Sequence, residues 1–291
     1  MWWMLLVLFY GLMKGAREIV KKMALKKSSV MEVLFVYTFL SFMMVVPQYK
    51  NAMGLPGNAY FYIALKSFFI FLAWICSFKA IRKMPISLYG ILDLSRVLFA
   101  TLLGVVVLNE TLFPLQIVGL FLVSAGLLLL KYRPSFIKNK IGNCDEKNEE
   151  KVKWKYVVFA FASCMLNALS GLMDKILMGQ MNSSQLQFWY MLFLVSYYFI
   201  YLLITRTRIH VSAWKNGWIW LLSIMFVAAD KALFIANGMP DSRVTVMTLI
   251  KQSGCLVTIL AGKYIFKEKD IRYKLFCAAI IVVGIMFGVM A

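Results

Sequence analysis

Apolar residues come in runs of about twenty along almost the whole chain, separated by short polar breaks. Ten runs can be traced, at roughly 2–25, 30–49, 58–81, 85–108, 112–132, 155–179, 185–205, 214–237, 240–266 and 271–290. Each is close to the ~20 residues that a helix needs to cross a ~30 Å hydrocarbon layer. The breaks carry turn chemistry: Lys27-Ser28-Ser29, Gly54-Leu55-Pro56-Gly57-Asn58, Met84-Pro85, Asn182-Ser183-Ser184 and Met239-Pro240. The pattern predicts an all-α polytopic membrane protein with ten transmembrane helices. Nothing basic precedes the first run and no cleavage site follows it, so it reads as a spanning helix and not as a signal peptide.

One polar stretch is longer than the rest, RPSFIKNKIGNCDEKNEEKVKWK from Arg133 to Lys155. Its mixed charge and scarce apolar residues predict a solvated linker. The chain thus divides into a first repeat over 1–133, a linker over 134–154 and a second repeat over 155–291. Shifted by 158 positions, DLSRVLFATLLGVVVLNE (93–110) lies on KQSGCLVTILAGKYIFKE (251–268). Ser95 meets Ser253, Gly104 meets Gly262, Glu110 meets Glu268 and, further on, Gly126 meets Gly284. Five spans per copy is odd, so the copies start on opposite sides of the bilayer. That predicts two inverted five-helix repeats related by an axis in the membrane plane.

Composition agrees. The 291 residues are 62% hydrophobic and 15% charged, against about half and a quarter in soluble domains. The net charge of +19 would suggest nucleic acid in a soluble chain, but most Lys and Arg lie between the apolar runs. Lys21, Lys22, Lys26, Lys27, Arg82, Lys83, Arg206, Arg208, Lys215, Lys267, Lys269 and Arg272 fall on one side of the predicted topology, whereas Lys50 and Arg243 fall on the other. By the positive-inside rule the crowded side, with the 133–155 loop, is cytoplasmic and both termini face outward, in a bacterial-type inner or plasma membrane. Lipid headgroups, not nucleic acid, are the expected partners of these cations. The cysteines (Cys76, Cys144, Cys164, Cys255, Cys277) are scattered and His210 is the sole histidine, so no metal, cofactor or disulfide frame is expected.

The segments 84–130 and 239–288 resemble EamA-type domains of the drug/metabolite transporter superfamily. The likeness lies in Pro85 and Pro240 at the helix starts, small residues mid-helix, "LNE" and "FKE" before the next helix, and a Gly about sixteen residues on. The resemblance implies a ten-helix secondary carrier of small organic solutes. Several relatives have cytoplasmic termini, the reverse of the charge count here. Phosphorylated-sugar carriers of the superfamily also place a Lys in the ninth helix, which Lys251 resembles.

The candidate site residues are the ionisable groups at membrane depth. Each such group costs about 2.5–3.5 kcal/mol at a helix centre on insertion scales. Asp93 and Arg96, three apart in the fourth run, can pair and should face the bundle interior; a lock between helices and a functional role fit about equally. Asp93 aligns with Lys251, which suggests a gate or a zwitterion clamp. Lys14, Arg17, Glu18, Lys21 and Lys22 line one stripe of the first helix. Lys21 and Lys22 fit a helix end reaching the surface with snorkelling stems; Lys14, Arg17 and Glu18 fit a basic vestibule. Asp174-Lys175 follows Gly171-Leu172-Met173 much as Lys14 follows Gly11-Leu12-Met13. Asp230 and Lys231 lie near the middle of the eighth run, and adjacent residues cannot bridge each other along a helix. Trp74 is deep enough to line a cavity. Lys66 and Asn237 are weaker candidates, since Lys66 could snorkel and Asn237 could end its helix; Glu110 and Glu268 read as helix N-terminal acids, and Tyr190, Phe193, Tyr197 and Tyr201 as a packing stripe sooner than a substrate-stacking wall.

Together these features predict a secondary active transporter or exporter, not an enzyme. No GxxxxGK[ST], HExxH or GxSxG occurs. The excess of Lys and Arg within the helices favours an anionic or zwitterionic solute. The alternative is a flippase for a lipid-linked sugar or phosphate headgroup. The sequence fits a monomer and a homodimer equally.

Overall fold

The computed structural model describes residues 2–108, 114–131, 154–239, 247, 250–251, 253–268 and 271–289. The expectations placed on Glu110, Arg243, Cys144 and the linker before Trp154 lie outside these residues. The described residues are helical: α1 (Trp2–Lys27), α2 (Val30–Val45), α3 (Gly57–Lys83), α4 (Ile86–Asp93), α5 (Arg96–Leu108), α6 (Pro114–Lys131), α7 (Trp154–Met178), α8 (Ser183–Thr205), the short α9 (Val211–Trp214), α10 (Gly217–Asn237), α11 (Gly254–Tyr264) and α12 (Ile271–Val289). Among the described residues six segments are long and apolar enough to cross a membrane: Val30–Ala52, Gly57–Lys83, Ile86–Leu103, Trp154–Met178, Ser183–Thr205 and Gly217–Asn237. α1 is equally long, at 26 residues, and carries the ionic stripe.

Local chemistry sets the boundaries. Ser29 accepts from the Glu32 N–H at 3.3 Å while the Glu32 carboxylate accepts from the Ser29 N–H at 2.8 Å, a capping box that starts α2. Asn182 and Gln185 do the same for α8, at 2.8 and 2.9 Å. Pro47, lacking an N–H, ends α2, and the chain continues as a 3₁₀ segment over Val46–Ala52.

The run expected as one helix over 85–108 is in fact two. The N–H groups of Leu94, Ser95, Val97 and Leu98 reach carbonyls three residues back, at 3.0–3.1 Å. This 3₁₀-type tightening breaks the helix between Asp93 and Arg96. The same i−3 bonds recur at Ser253 and Leu256, so α11 begins only at Gly254, inside the run expected over 240–266.

The turns sort onto two faces. On one, Lys22 and Lys26 lie over the Phe266 ring at 4.9 and 5.3 Å, Asn216 donates to the Ala24 carbonyl and to Ser28, and Glu32 holds the exposed His210 at 2.6 Å. On the other, the 3₁₀ segment receives Trp189 Nε1 at the Ala52 carbonyl (2.9 Å) and Gln185 at the Met53 carbonyl (3.0 Å). The outer surface between the faces is hydrocarbon: Ile204, Phe121, Phe61 and Leu203 are more than half exposed, as a lipid-solvated bundle requires. Inside, the core runs from Leu34, Val36 and Tyr37 through Phe78 and Tyr198 to Leu222 and Phe226.

α3 packs on α7, α1 on α10, and α6 on α12; α1 also packs on α11, and α5 on α7. Between α1 and α11 the approach is set by glycine. A Cβ on Gly254 would lie 2.6 Å from the Gly11 carbonyl oxygen and 3.0 Å from the Gly15 nitrogen.

A buried ionic ladder as the candidate functional site

The stripe on α1 faces the bundle interior. Lys14, Arg17 and Lys21 are each buried, at 8%, 8% and 9% exposure, although all three are cations at membrane depth. The reason is partnership. Lys14 forms an ion pair with Asp93 at the end of α4. Asp93 also accepts from Arg96, the first residue of α5, at 2.9 Å. The helix break turns these two side chains together. Cys164 of α7 completes the shell, with its thiol 3.8 Å from the same carboxylate oxygen.

One turn along α1, Arg17 meets Asp230 of α10 at 3.4 Å. Its guanidinium also lies 5.1 Å from the Phe226 ring and 5.5 Å from the Tyr10 ring, a cation–π setting that offsets desolvation. Trp74 is T-stacked on Phe226 at 5.1 Å and tilted on Tyr37 at 5.3 Å, so it supports Arg17 through an aromatic layer. Glu18 holds Lys21 at 2.8 and 3.0 Å, and Lys21 sits over Phe78 at 4.6 Å.

α7 adds Asp174, which pairs with Lys66 of α3 at 2.6 Å. Here the snorkelling expectation fails. Lys66 is 1% exposed, with its ammonium 3.8 Å from the Tyr190 ring and 5.2 Å from the Phe234 ring. The sequence ranked Lys66 only as a weaker candidate and placed Tyr190 in a packing stripe. The available signal was Lys66 standing nine residues inside an apolar helix, ~14 Å from its start, with Tyr190 at the head of the aromatic stripe.

Lys251 lies just before the break preceding α11, its ammonium 5.9 Å from the Tyr10 ring. It does not pair with Asp93, whose partners are Lys14 and Arg96. Lys231 leaves the ladder altogether: it donates to Gln48 at 2.9 Å and Ser184 at 2.8 Å, on the face opposite the basic turns. Lys175 is half-buried on α7, about 100° around the helix from Asp174. Between α1, α4 and α11 a narrow cleft is lined by Lys14, Glu18, Asp93, Tyr89, Cys255 and Thr258.

On the basic face one carboxylate links α1, α4 and α12. Glu268 was expected at the start of its own following helix. Instead it caps α4, whose N-cap residue Pro85 offers no side-chain acceptor. It accepts from the N–H of Ile86 at 2.6 Å, the N–H of Ser87 at 3.3 Å and the Ser87 hydroxyl. Lys274 adds a contact at 3.3 Å and Lys22 lies 3.9 Å away. Burial pushes its carboxyl up, but the Ser87 hydroxyl, Lys274, the Ile86 N–H and Lys22 together hold it below the ordinary glutamate range. Its contribution to stability is therefore complete above the unfolded value of about 4.3 and is lost as pH falls through the lower native one. Glu268→Gln is expected to cost about 1–2 kcal/mol at pH 7. Thermal unfolding from pH 7 down to pH 3 should show the wild type losing its advantage over the variant; parallel curves would remove Glu268 from this role.

A helical bundle with an apolar outer surface and a line of buried, mutually paired charges is the architecture of a multi-pass membrane protein. Residues 1–132 match the EamA-like transporter family. The first part of the chain is thus similar to EamA-like transporters, in line with the resemblance to the drug/metabolite transporter superfamily carried by 84–130 and 239–288. That family consists of membrane transporters of small molecules. No curated protein matches the sequence. Twenty-eight chains of solved structures match in fold. One, described only as a crystal structure of a protein, superposes with a TM-score of 0.62 at 13% identity, covering 97% of both chains.

Proposed function

We propose that the protein is a secondary transporter that carries a small anionic or zwitterionic organic solute by alternating access between two inverted five-helix repeats. The observation that carries this reading is the pair of helix breaks. Asp93-Leu94-Ser95-Arg96 and Lys251-Gln252-Ser253-Gly254 stand 158 positions apart, each at an interruption that faces the ladder. Interrupted helices at membrane depth are where carriers bind polar cargo.

Packing supports the repeat. Exchange the halves and α1 on α10 becomes α7 on α3, while α1 on α11 becomes α7 on α5, and all four contacts are present. The glycines agree: Gly126 abuts Cys277 and Ile281, and Gly284 abuts Gly119 and Val123, the same pairs displaced by 158. The sorting of turns supports the topology in which the basic face is cytoplasmic and both termini face outward. Within the ladder Lys14, Arg17, Lys21, Lys66, Arg96 and Lys251 outnumber Glu18, Asp93, Asp174 and Asp230. A surplus of buried positive charge is a standing demand for an anion.

Reconstitution tests this. Proteoliposomes screened with labelled anionic, zwitterionic and cationic metabolites should show counterflow of an anion or zwitterion. Transport confined to cations would overturn the charge argument, and catalysed translocation of a lipid-linked phosphate would favour a flippase.

A further inference from the structure

The two halves carry one ionic motif with its signs reversed. Lys14 follows Gly11-Leu12-Met13 and Asp174 follows Gly171-Leu172-Met173; Asp93 aligns with Lys251. Lys14 and Asp93 of the first half are joined. Their counterparts in the second half are apart. Asp174 is held by Lys66, and among the described residues no carboxylate lies within ion-pairing distance of Lys251. Asp174 nevertheless lies near enough to Lys251 for their charges to act on each other.

We propose that Lys14–Asp93 and Asp174–Lys251 are the two settings of one switch: the first pair is made while the basic face is closed, the second when it is open. The proposal rests on the alternating-access reading. In an inverted repeat the opposite state is the present one with the halves exchanged. That exchange maps Lys14–Asp93 onto Asp174–Lys251, and reversing both signs preserves the attraction. A buried charge stripped of its partner is costly, so a carrier that opens one pair must close another. The present structure is the closed-basic-face setting, because Glu268 ties α4 to Lys274 and Lys22 there. Lys66 keeps Asp174 in reserve. When Asp174 leaves, the Tyr190 and Phe234 faces remain around the Lys66 ammonium, and Asp230 is near enough for the Lys66 charge to act on it.

The test needs no substrate. Cys255 lines the cleft beside Lys14 and Asp93 and is 6% exposed. With Cys76, Cys144, Cys164 and Cys277 replaced, it reports access to a membrane-impermeant maleimide in vesicles of either orientation, assigned with a Lys27→Cys reporter. Lys66→Met should release Asp174 to Lys251. Labelling from the basic face should then rise at least about threefold and labelling from the opposite face should fall, since a shift of population favours one side at the expense of the other. Adding Lys251→Met should return both rates to the parent values. Equal rises from both sides, or a rise that survives Lys251→Met, would mean that Lys66 merely clamps α3 to α7. If Lys66→Met is not recovered folded, Asp93→Asn opens the first pair and carries the same two expectations. Solute movement in liposomes with unshifted labelling sinks the switch alone; shifted labelling without transport of any solute sinks the cargo assignment alone.

Discussion

Asp93→Leu is expected to remove about 3–5 kcal/mol of unfolding free energy, the range found when one member of a buried ion pair is deleted. It is also expected to abolish transport. Asp93 is the only described carboxylate paired with Lys14 or with Arg96, so its loss leaves two cations facing each other inside the bundle. Lys14→Met is expected to cost less, about 0.5–3 kcal/mol, because Asp93 keeps its 2.9 Å bond to Arg96 and one buried cation is gone. The double variant Lys14→Met/Asp93→Leu should recover part of the Asp93→Leu loss, since Arg96 alone is then unpaired and its side chain is 22% exposed. Unfolding of the purified variants in detergent reads all three. If Asp93→Leu is no less stable than Lys14→Met, the hub of the ladder lies elsewhere.

How much of this was legible beforehand depends on the range of the interaction concerned. Span lengths and polar breaks are local, so the helices and most of their ends could be read directly; Ser29 and Asn182 announce caps that the structure contains. The break at Asp93–Arg96 was not read, because Leu94 and Ser95 carry no Gly or Pro and the kink answers to partners on α1. The stripe on α1 showed by its spacing that its charges share a face, but not which helices supply the counter-ions. Pairing of Arg17 with Asp230 joins positions 213 apart in the chain, which no periodicity encodes. Lys66 ranked low for the same reason: its depth was visible, its partner was not. Glu268 was placed at a helix N-terminus correctly in kind, but at the wrong helix, since a carboxylate in a turn can cap whichever free N–H groups tertiary packing brings to it.

Gly254, at the α1–α11 crossing, should respond to substitution with the opposite sign to Gly171 of α7. Gly254→Leu is expected to cost about 3 kcal/mol or more, the upper end of overpacking effects. The atoms that a new Cβ would strike are backbone: the Gly11 carbonyl oxygen at 2.6 Å, the Gly15 nitrogen at 3.0 Å and the Gly15 Cα at 3.3 Å. No flexible side chain can move aside, so α1 and α11 must separate. Separation carries Lys14 away from the cleft wall formed with Cys255 and Thr258, which couples this packing defect to the ladder. Gly171 on α7, which follows Ser170 as Gly11 follows Tyr10, has nothing within 4 Å of a built Cβ. Gly171→Ala should therefore be stabilising by about 0.5–1 kcal/mol through helix propensity alone. Melting curves of the two variants measure the difference directly. A Gly254→Leu protein as stable as Gly171→Ala would show that the α1–α11 seam is slack, and with it the close approach that sets Lys14 against Asp93.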